Sequence, residues 1–313
     1  MSNRPKRPSF SIAPVVEVAH LTNLLGISQA DLDALVASAS QMYRHVPQKK
    51  RDGSKRDTWD AFPPLKQLQE KIKNRFLRRV AFPLYLQTGI LDKEFPRDYA
   101  HNAAFHAGAK CVVTLDIENF FLSITAVQVL GIWADFFRFD KRVAETLTAL
   151  TTKDGYVPQG AKTSSYLANL VFWKDEHELF SHLASLGWDY SRLADDVTIS
   201  SKRLRRGGEV GDMTRTAVGF IQRHGFRVKR SKHKVFWRNT QMIVNNLVVN
   251  AHPALPKGER RRIRAQVDAL AMATAAGESI DERLRNSTRG KIAKLRRFHP
   301  QTANRILRRP SSE

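Results

Sequence analysis

Short apolar segments that end in carboxylates limit the folds open to this sequence. Residues 111–117, CVVTLDI, are β-branched and apolar, and they predict a buried strand that ends at Asp116. Two further strands, predicted at 190–193 and 197–200, flank Asp195 and Asp196 as in a hairpin. An unpaired carboxylate in apolar surroundings is costly, so these side chains should be paired, exposed or bound to a cation. Alone, an Asp-Asp pair is an ordinary polar turn.

Adjacent strands would turn these carboxylates into a metal site. If the strand that ends at Asp116 lies beside the 190–200 hairpin, then Asp116 and Asp195 converge on the same divalent ion. Mg²⁺ takes hard oxygen ligands, few of them from protein, and completes its octahedron with substrate phosphates. Two such ions about 3.5–4 Å apart would activate an attacking hydroxyl and stabilise a leaving pyrophosphate.

The charge of the chain points to a polyanionic partner. Its 313 residues include 52 Lys+Arg against 30 Asp+Glu, a net charge of +22. One basic run by itself is usually a solvated face, but four runs favour a groove that follows phosphates. Three of the runs lie near 203–206, 223–234 and 251–313. The fourth run, nearest the N-terminus, surrounds an Asp52-Gly53 pair that predicts a hairpin turn. It consists of Lys49, Lys50, Arg51, Lys55 and Arg56.

Composition excludes several other classes of protein. With 42% hydrophobic residues the chain is expected to fold, and one cysteine excludes a disulfide framework and a cysteine-based zinc site. No apolar run approaches the length of a membrane span, and the opening segment MSNRPKRPSF lacks the apolar core of a secretion signal. We therefore expect a cytoplasmic protein that does not bind membranes.

The periodicity predicts an α+β centre with helical flanks. Helices are predicted over 28–44, from Pro63-Pro64 onward and over 164–183, and a strand is predicted over 242–249. Strands and helices alternate in the middle of the chain, whereas both ends are mostly helical.

Five motifs occur in an order that resembles the palm of reverse transcriptases. Gln159 and Asp195 are 36 residues apart, and Asp116 and Asp195 are 79 apart. The segment 49–72 resembles the fingers of that family, and 289–306 resembles its thumb. The palm motifs are DIENFFLSI (116–124), PQGAKTSS (158–165), SRLADDVTISS (191–201), GFRVKRSKHK (225–234) and LVVN (247–250).

Within that family the chain is most similar to bacterial retron reverse transcriptases. The run from Asn102 to His106 matches their NAxxH signature, just ahead of the first predicted catalytic strand. Their second signature, Val-Thr-Gly, is replaced here by Val244-Asn245-Asn246. The resemblance implies a right-hand polymerase with fingers, a ferredoxin-like palm sheet and a helical thumb. The implied boundaries are 1–110 for the N-terminal helix and fingers, 111–250 for the palm with a fingers insertion at about 129–157, and 251–313 for the thumb.

The resemblance also implies the catalytic metal ligands. Asp116, Asp195 and Asp196 would hold two Mg²⁺ ions, with Mn²⁺ as a substitute, and the backbone carbonyl of Ile117 would be a further ligand. Asp196 is expected to act more by charge than by direct coordination.

Other residues match the nucleotide-binding positions of the family. Phe121 matches the steric gate that excludes a 2′-hydroxyl, with core packing as the alternative. Gln159 and Gly160 match the turn that lies along the incoming nucleotide. Lys232 matches the lysine that protonates departing pyrophosphate, with simple phosphate contact as the alternative, and Arg56 in the fingers could grip the triphosphate.

A third group is implied in recognition of RNA and primer. It comprises Asn102 and His106 of the NAxxH signature, together with Asn245 and Asn246. A buried core histidine is the alternative for His106. Leu193 stands where most relatives have the tyrosine that touches the primer-end base pair, so we expect altered fidelity or processivity with intact chemistry.

The function implied is that of an RNA-directed DNA polymerase of a retron. It would use dNTPs and a cognate structured noncoding RNA to make branched RNA-linked DNA, and would act with an effector protein in anti-phage defence. One alternative is a polymerase-derived RNA-binding scaffold whose chemistry has lapsed, suggested by Leu193 and Asn245-Asn246. Another is a reverse transcriptase of a different bacterial lineage.

Overall fold

The fold is built around a four-stranded antiparallel sheet, seen in a computed structural model that describes residues 5–49, 53 and 55–307. Its strands are β5 (Cys111–Asp116), β6 (Asp189–Leu193), β7 (Asp196–Ser201) and β8 (Lys234–Trp237), in the spatial order β6-β7-β5-β8. Helices lie between β5 and β6 and between β7 and β8. This connectivity is the ferredoxin-like sheet that the resemblance implies, and the predicted strands at 111–117, 190–193 and 197–200 are confirmed.

The remaining elements cover this sheet and extend it at both ends. The numbering of all helices and strands follows the chain. Before the sheet lie α1 (Val18–Leu25), α2 (Gln29–Ser38), β1 (Tyr43–His45), β2 (Gln48–Lys49), β3 (Lys55–Arg56), β4 (Trp59–Ala61), α3 (Pro63–Arg75) and α4 (Tyr99–Phe105). Along the chain, the following helices lie between the first and last strands of the sheet: α5 (Phe120–Ser123), α6 (Ala126–Gly131), a π-helical turn at Ile132–Phe136, α7 (Lys141–Thr151), α8 (Ser164–Leu170), α9 (Glu176–Ser185) and α10 (Gly207–Arg223). After it follow β9 (Ile243–Val244), β10 (Leu247–Val248), α11 (Lys257–Ala275), α12 (Glu282–Phe298) and α13 (Pro300–Leu307).

Strand β5 is central and is buried on both of its faces. Side chains alternate along a strand, so Val113 and Leu115 enter the main hydrophobic core, whereas Val112 enters a second core. The second core lies under the C-terminal helices and includes Val244, Leu247 and residues of α11, α12 and α13. Asp116 is in phase with Val112 and is therefore placed at the end of the second face.

The basic hairpin predicted near residue 50 is confirmed. Strands β2 and β3 pair antiparallel, with Gln48 opposite Arg56 and Lys49 opposite Lys55. Asp52 of the predicted turn lies outside the described residues. The hairpin is followed by β4 and by α3, which begins at Pro63 as predicted, because proline fits the first turn of a helix.

Two predicted helices are shorter than their apolar patterns indicate. The helix predicted over 28–44 ends at Ser38, and Tyr43 instead joins β1, which pairs with β4. The helix predicted over 164–183 is two helices, because the chain turns between Leu170 and Glu176 and buries Phe172 in the main core. Tertiary packing overrides helical periodicity in both segments.

The segment 242–249 is a tight hairpin, so the prediction of one strand there is wrong. Val244 pairs with Leu247, and the two residues between them, Asn245 and Asn246, have φ of 51° and 64°. A two-residue hairpin turn of this kind needs positive φ at both positions, which asparagine tolerates well.

The C-terminal helices attach to the rest of the chain through polar contacts. Arg297 of α12 donates to Asp98 at 2.7 Å, and Asp98 also caps the start of α4. Nε2 of His299 accepts a hydrogen bond from the backbone of Leu255 at 3.0 Å. Of the helices described, none has the length and hydropathy required to cross a membrane.

Candidate active site

The three predicted carboxylates meet at one end of the central sheet. Asp116 at the end of β5 is directly opposite Asp196 at the start of β7. Leu193 pairs with Asp196 across the two-residue turn that carries Asp195. The backbone N–H of Ile117 donates to the carbonyl of Asp195 at 2.9 Å, which joins the end of β5 to this turn. Residues distant in the sequence are thus brought together as the sequence predicts.

The three carboxylates form a crowded acidic cluster. Asp196 is exposed at the start of β7, but the protein around it reduces its hydration; this partial desolvation, then repulsion from Asp195 and Asp116, raises the pKa of Asp196 to about 7. Desolvation is the main cause that raises the pKa of Asp195 as well, and repulsion from Asp116 adds to it. Crowded carboxylates of this kind favour a cation between them.

Lys232 supplies one such cation. Its Nζ lies 2.5 Å from Oδ2 of Asp116, and this hydrogen bond is the main cause that raises the pKa of Lys232. The lysine predicted from the fourth palm motif therefore lies in contact with the predicted metal ligands. The hydrogen-bond partner of Lys232 is the Asp116 carboxylate, which differs from the phosphate contact given above as the alternative.

The donor set fits Mg²⁺ better than metals that require a closed protein cage. Across residues 5–49, 53 and 55–307, no three His, Cys, Asp or Glu side chains form a ready-made metal cluster. Mg²⁺ usually takes only one or two carboxylates and obtains its other ligands from water and substrate phosphates. Asp116 and Asp195 both line the cavity described next, where a triphosphate could supply those oxygens.

A cavity of about 230 Å³ joins the carboxylates to the fingers hairpin. It brings together seven of the predicted residues: Arg56, Asp116, Ile117, Phe121, Gln159, Asp195 and Lys232. Two further cations, Lys55 and Lys229, also line it and were not predicted as site residues. The cavity thus places the carboxylates of Asp116 and Asp195 near cations from the fingers and from beside the sheet, as a site for a metal-bound triphosphate requires.

Phe121 and Gln159 also line a second cavity of about 440 Å³ between the fingers strands and the start of α8. Arg44, Trp59 and Gly160 are among its other lining residues. Phe121 is half-buried and stands between the two spaces. A ring in this position can contact a ligand on either side.

Gly160 is required by a close approach of two backbones. The N–H of Trp59 donates to the carbonyl of Gln159 at 2.8 Å, and Gly160 has a φ of 113°. A Cβ atom at residue 160 would lie 2.8 Å from the carbonyl oxygen of Trp59. The glycine thus allows β4 of the fingers to rest on the Gln159–Gly160 turn.

A Gly160→Ala variant is therefore expected to lose both stability and nucleotide incorporation. The positive φ alone should lower the free energy of unfolding by about 1–3 kcal/mol, and the clash with Trp59 should add to that loss. Gly155→Ala is the matched control, because Gly155 has a φ of 84° but a Cβ atom added there would meet no other atom within 4 Å. Chemical denaturation of both variants separates the effect of backbone strain from that of the clash with Trp59. Equal losses in the free energy of unfolding would show that the clash with Trp59 contributes nothing.

Asn102 and His106 of the NAxxH signature are completely buried. Nε2 of His106 lies 2.7 Å from Oγ of Ser191, and Nδ1 lies 2.8 Å from Oγ of Ser200. Ser191 also donates to Oδ1 of Asn102 at 2.5 Å. Burial, with a smaller effect from Lys202, lowers the pKa of His106 to about 3, so its ring is neutral at pH 7. The signature binds α4 to β6 and β7, so any influence of these two residues on RNA would be indirect.

The other residues predicted for RNA and primer lie nearer the carboxylates. Asn245 and Asn246 line a cavity of about 400 Å³ that also includes Asp116 and Asp196. The side-chain amide of Asn245 donates to the carbonyl of Tyr99 at 3.1 Å, which ties the hairpin to α4. Leu193 is half-buried at the start of the Asp195 turn.

The sequence reading missed a buried ion pair beside this turn. Arg192 and Glu176 are 0% and 1% exposed, and Nε of Arg192 donates to Oε1 of Glu176 at 2.6 Å. An arginine inside a predicted strand, next to Leu193, was the signal that could have revealed it, since a charge buried in a sheet needs a partner.

Comparison with known proteins shows the family of the chain. A family described as "Reverse transcriptase (RNA-dependent DNA polymerase)" matches residues 48–256. The chain is 34% identical over 265 residues to the retron Se72 reverse transcriptase of Salmonella heidelberg (strain 579083-10), covering 82% of this chain and 68% of that protein. It is 31% identical over 303 residues to the retron Ec48 reverse transcriptase of Escherichia coli, covering 93% of this chain and 71% of that protein.

A solved structure of telomerase from Candida albicans is a more distant likeness. It has a TM-score of 0.46 and 10% identity, and the alignment covers 87% of this chain and 57% of that one. A likeness at this level does not bear on function.

Proposed function

This chain belongs to the reverse transcriptases, and among them to the retron type; it is an RNA-directed DNA polymerase, and we propose that it copies a cognate structured noncoding RNA into branched, RNA-linked single-stranded DNA. The observation that carries the proposal is the meeting of Asp116, Asp195 and Asp196 at one end of the sheet, where Asp116 and Asp195 line a cavity that reaches the basic fingers hairpin.

The protein's part in the chemistry is to place charges around a nucleotide. Asp116 and Asp195 would hold two Mg²⁺ ions, with Asp196 contributing charge and the Ile117 carbonyl a further oxygen. When bound, such ions activate the attacking hydroxyl and stabilise the leaving pyrophosphate. Lys232, which is already hydrogen-bonded at this position, would donate a proton to that pyrophosphate.

The remaining lining residues would bind and select the nucleotide. Arg56 is joined by Lys55 and Lys229 in facing the phosphates, and these three cations would neutralise the triphosphate without direct involvement in bond formation. Phe121 would lie under the sugar and exclude a 2′-hydroxyl. Gln159 and Gly160 would line the path of the nucleotide and its template base.

The larger reaction and its setting follow from the retron family and from the charge of the chain. Synthesis would begin from a 2′-hydroxyl of the RNA, with the segments 1–110, 111–250 and 251–313 acting as fingers, palm and thumb. A net charge of +22 suits a duplex whose phosphates are bound without regard to sequence. We propose further that an effector protein acts with the enzyme in anti-phage defence.

Primer extension on a defined template tests the enzyme. The purified chain is given poly(rA) annealed to oligo(dT), with dTTP and Mg²⁺, and we expect incorporation that EDTA abolishes and added Mg²⁺ restores. Sequencing of the nucleic acid that copurifies with the chain identifies the cognate RNA, and a debranching enzyme should release DNA from it. Tight RNA binding without incorporation in either Mg²⁺ or Mn²⁺, on this template and on the copurified RNA, would instead favour the lapsed scaffold.

A further inference from the structure

One guanidinium group lies behind the proposed catalytic site and contacts three of the segments that build it. Arg192 is in β6, three residues before Asp195, and its side chain is fully buried. Its Nε and Nη2 donate to the two carboxylate oxygens of Glu176 at 2.6 and 2.9 Å. Such a forked pair holds an arginine in one orientation as well as compensating its charge.

The same guanidinium donates to three backbone carbonyls. Two of them belong to the last turn of α8, at Ala168 (3.1 Å) and Asn169 (3.0 Å). Helix α8 begins shortly after Gln159, which lines the cavity. The third carbonyl, at 3.4 Å, is that of Ala194, the residue immediately before Asp195.

The face of the guanidinium reaches the segment that follows Asp116. Its central carbon lies 5.8 Å from the ring of Phe120 and 5.1 Å from the ring of Phe172. Phe120 is buried and is adjacent in sequence to Phe121. Arg192 therefore touches the segments that carry Asp116, Gln159 and Asp195, which are separated by up to 79 residues.

The turn that carries Asp195 needs support of this kind. Ala194 has a φ of 57°. Residues other than glycine keep such a left-handed conformation only where their surroundings hold them in it. The hydrogen bond from Arg192 to the Ala194 carbonyl is one such contact at the turn.

We propose that Arg192, oriented by Glu176, is a positioning residue that sets the Asp195 carboxylate relative to Asp116 and to α8. The proposal rests on the function proposed above, because it concerns the same site. Arg192 lies behind the turn and acts through the backbone.

A second arginine, just after the other end of β7, offers a control. Arg205 is 10% exposed, donates to the carbonyls of Leu186 and Gly187 at 2.6 and 2.9 Å, and pairs with Glu209 at 3.0 Å. Its guanidinium also lies 4.5 Å from the ring of Trp188. Arg205 thus also combines an ion pair, backbone carbonyls and an aromatic ring, but its partner Glu209 is 45% exposed and the pair lies beside the end of β7 that is distant from Asp195.

The decisive variant removes the buried charges together, so that neither is left unpaired. It combines Arg192→Met and Glu176→Met with Tyr190→Phe, because the hydroxyl of Tyr190 donates to Glu176 at 2.7 Å. Replacing a buried ion pair by apolar residues often preserves the fold, whereas removing one partner does not. Arg205→Met with Glu209→Met is the control, and Arg192→Lys keeps the charge but loses the fork.

Three quantities are measured on each folded variant: kcat and KM for dTTP on poly(rA)·oligo(dT), the affinity for Mn²⁺ by electron paramagnetic resonance, and the melting temperature. We expect the Arg192 triple variant to lose about 10- to 100-fold in kcat and in Mn²⁺ affinity, as residues that orient metal ligands do. Arg192→Lys should fall between it and the parent. The Arg205 double variant should change only the melting temperature.

A folded triple variant with the parent's kcat and Mn²⁺ affinity would overturn the proposal, and so would equal losses in the Arg192 and Arg205 variants. Asp195→Asn is assayed alongside to separate this proposal from the proposed function. If Asp195→Asn is as active as the parent, the catalytic site itself is wrongly placed. If Asp195→Asn is inactive while the triple variant is fully active, only the positioning role fails.

Discussion

An Asp195→Asn variant is expected to incorporate nucleotides about 1,000-fold more slowly than the parent, or slower still. Asparagine keeps the size of the side chain but removes the charge that would hold a metal ion. Bound metal ions supply several kcal/mol of transition-state stabilisation, and each 1.4 kcal/mol is about a factor of ten in rate. The measurement is single-nucleotide primer extension at saturating Mg²⁺, with RNA binding measured in parallel.

The same substitution should leave stability unchanged or improve it. Desolvation and repulsion from Asp116 already raise the pKa of Asp195, so its charge is unfavourable in the metal-free fold. The melting temperature in EDTA should therefore be equal to that of the parent or higher. Asp189→Asn is the matched control, because Asp189 lies opposite Ser200 at the other end of β6, the strand that leads into the Asp195 turn, and burial raises its pKa as well. Asp189→Asn should retain activity. Full activity of Asp195→Asn would show that Asp195 is not part of the catalytic site.

A Phe121→Val variant is expected to accept ribonucleotides. The ring stands between the cavity that contains Asp116 and the one that contains Gly160, so a smaller side chain opens space where a 2′-hydroxyl would lie. Steric discrimination by one side chain is typically worth about 10- to 200-fold, and we expect the ratio of kcat/KM for dTTP over UTP to fall by that amount. Incorporation of dTTP should be largely retained.

The control for this variant is Phe62→Val, a change of the same size at a phenylalanine that is 44% exposed at the start of α3. It should leave the ratio unchanged. If Phe121 serves core packing instead, its replacement should lower dTTP and UTP incorporation equally and reduce the melting temperature.

The strands of the central sheet could be predicted from the sequence more accurately than the helices around it. Strands β5, β6 and β7 were predictable because a β-branched run and a short hairpin are local features. The helices at 28–44 and 164–183 were misjudged at their ends. Tyr43 gains a strand partner and Phe172 gains a core position only when distant segments are in place.

In the candidate active site, too, some residues could be predicted from the sequence, whereas their contacts are seen only in the folded chain. Residue type and position at strand ends predicted Asp116 and Asp195 as metal ligands, because Mg²⁺ takes carboxylate oxygens, whereas Lys232 was predicted only from the resemblance to reverse transcriptases. The NAxxH signature was recognisable as a pattern, but its burial was not. Only the packing of α4 on β6 and β7 shows that His106 bonds to Ser191 and Ser200.

The amino-acid sequence alone determined the chemistry: which residues can carry charge, where apolar strands begin and end, and which motifs they form. The tertiary structure alone decided which partners those residues have. Arg192 reads as one more basic residue until Glu176, Ala168 and Phe120 surround it, and Gly160 reads as a flexible turn until Trp59 lies against it. The physical reason is that propensity and periodicity act over a few neighbouring residues, whereas burial and hydrogen bonding depend on the whole folded chain.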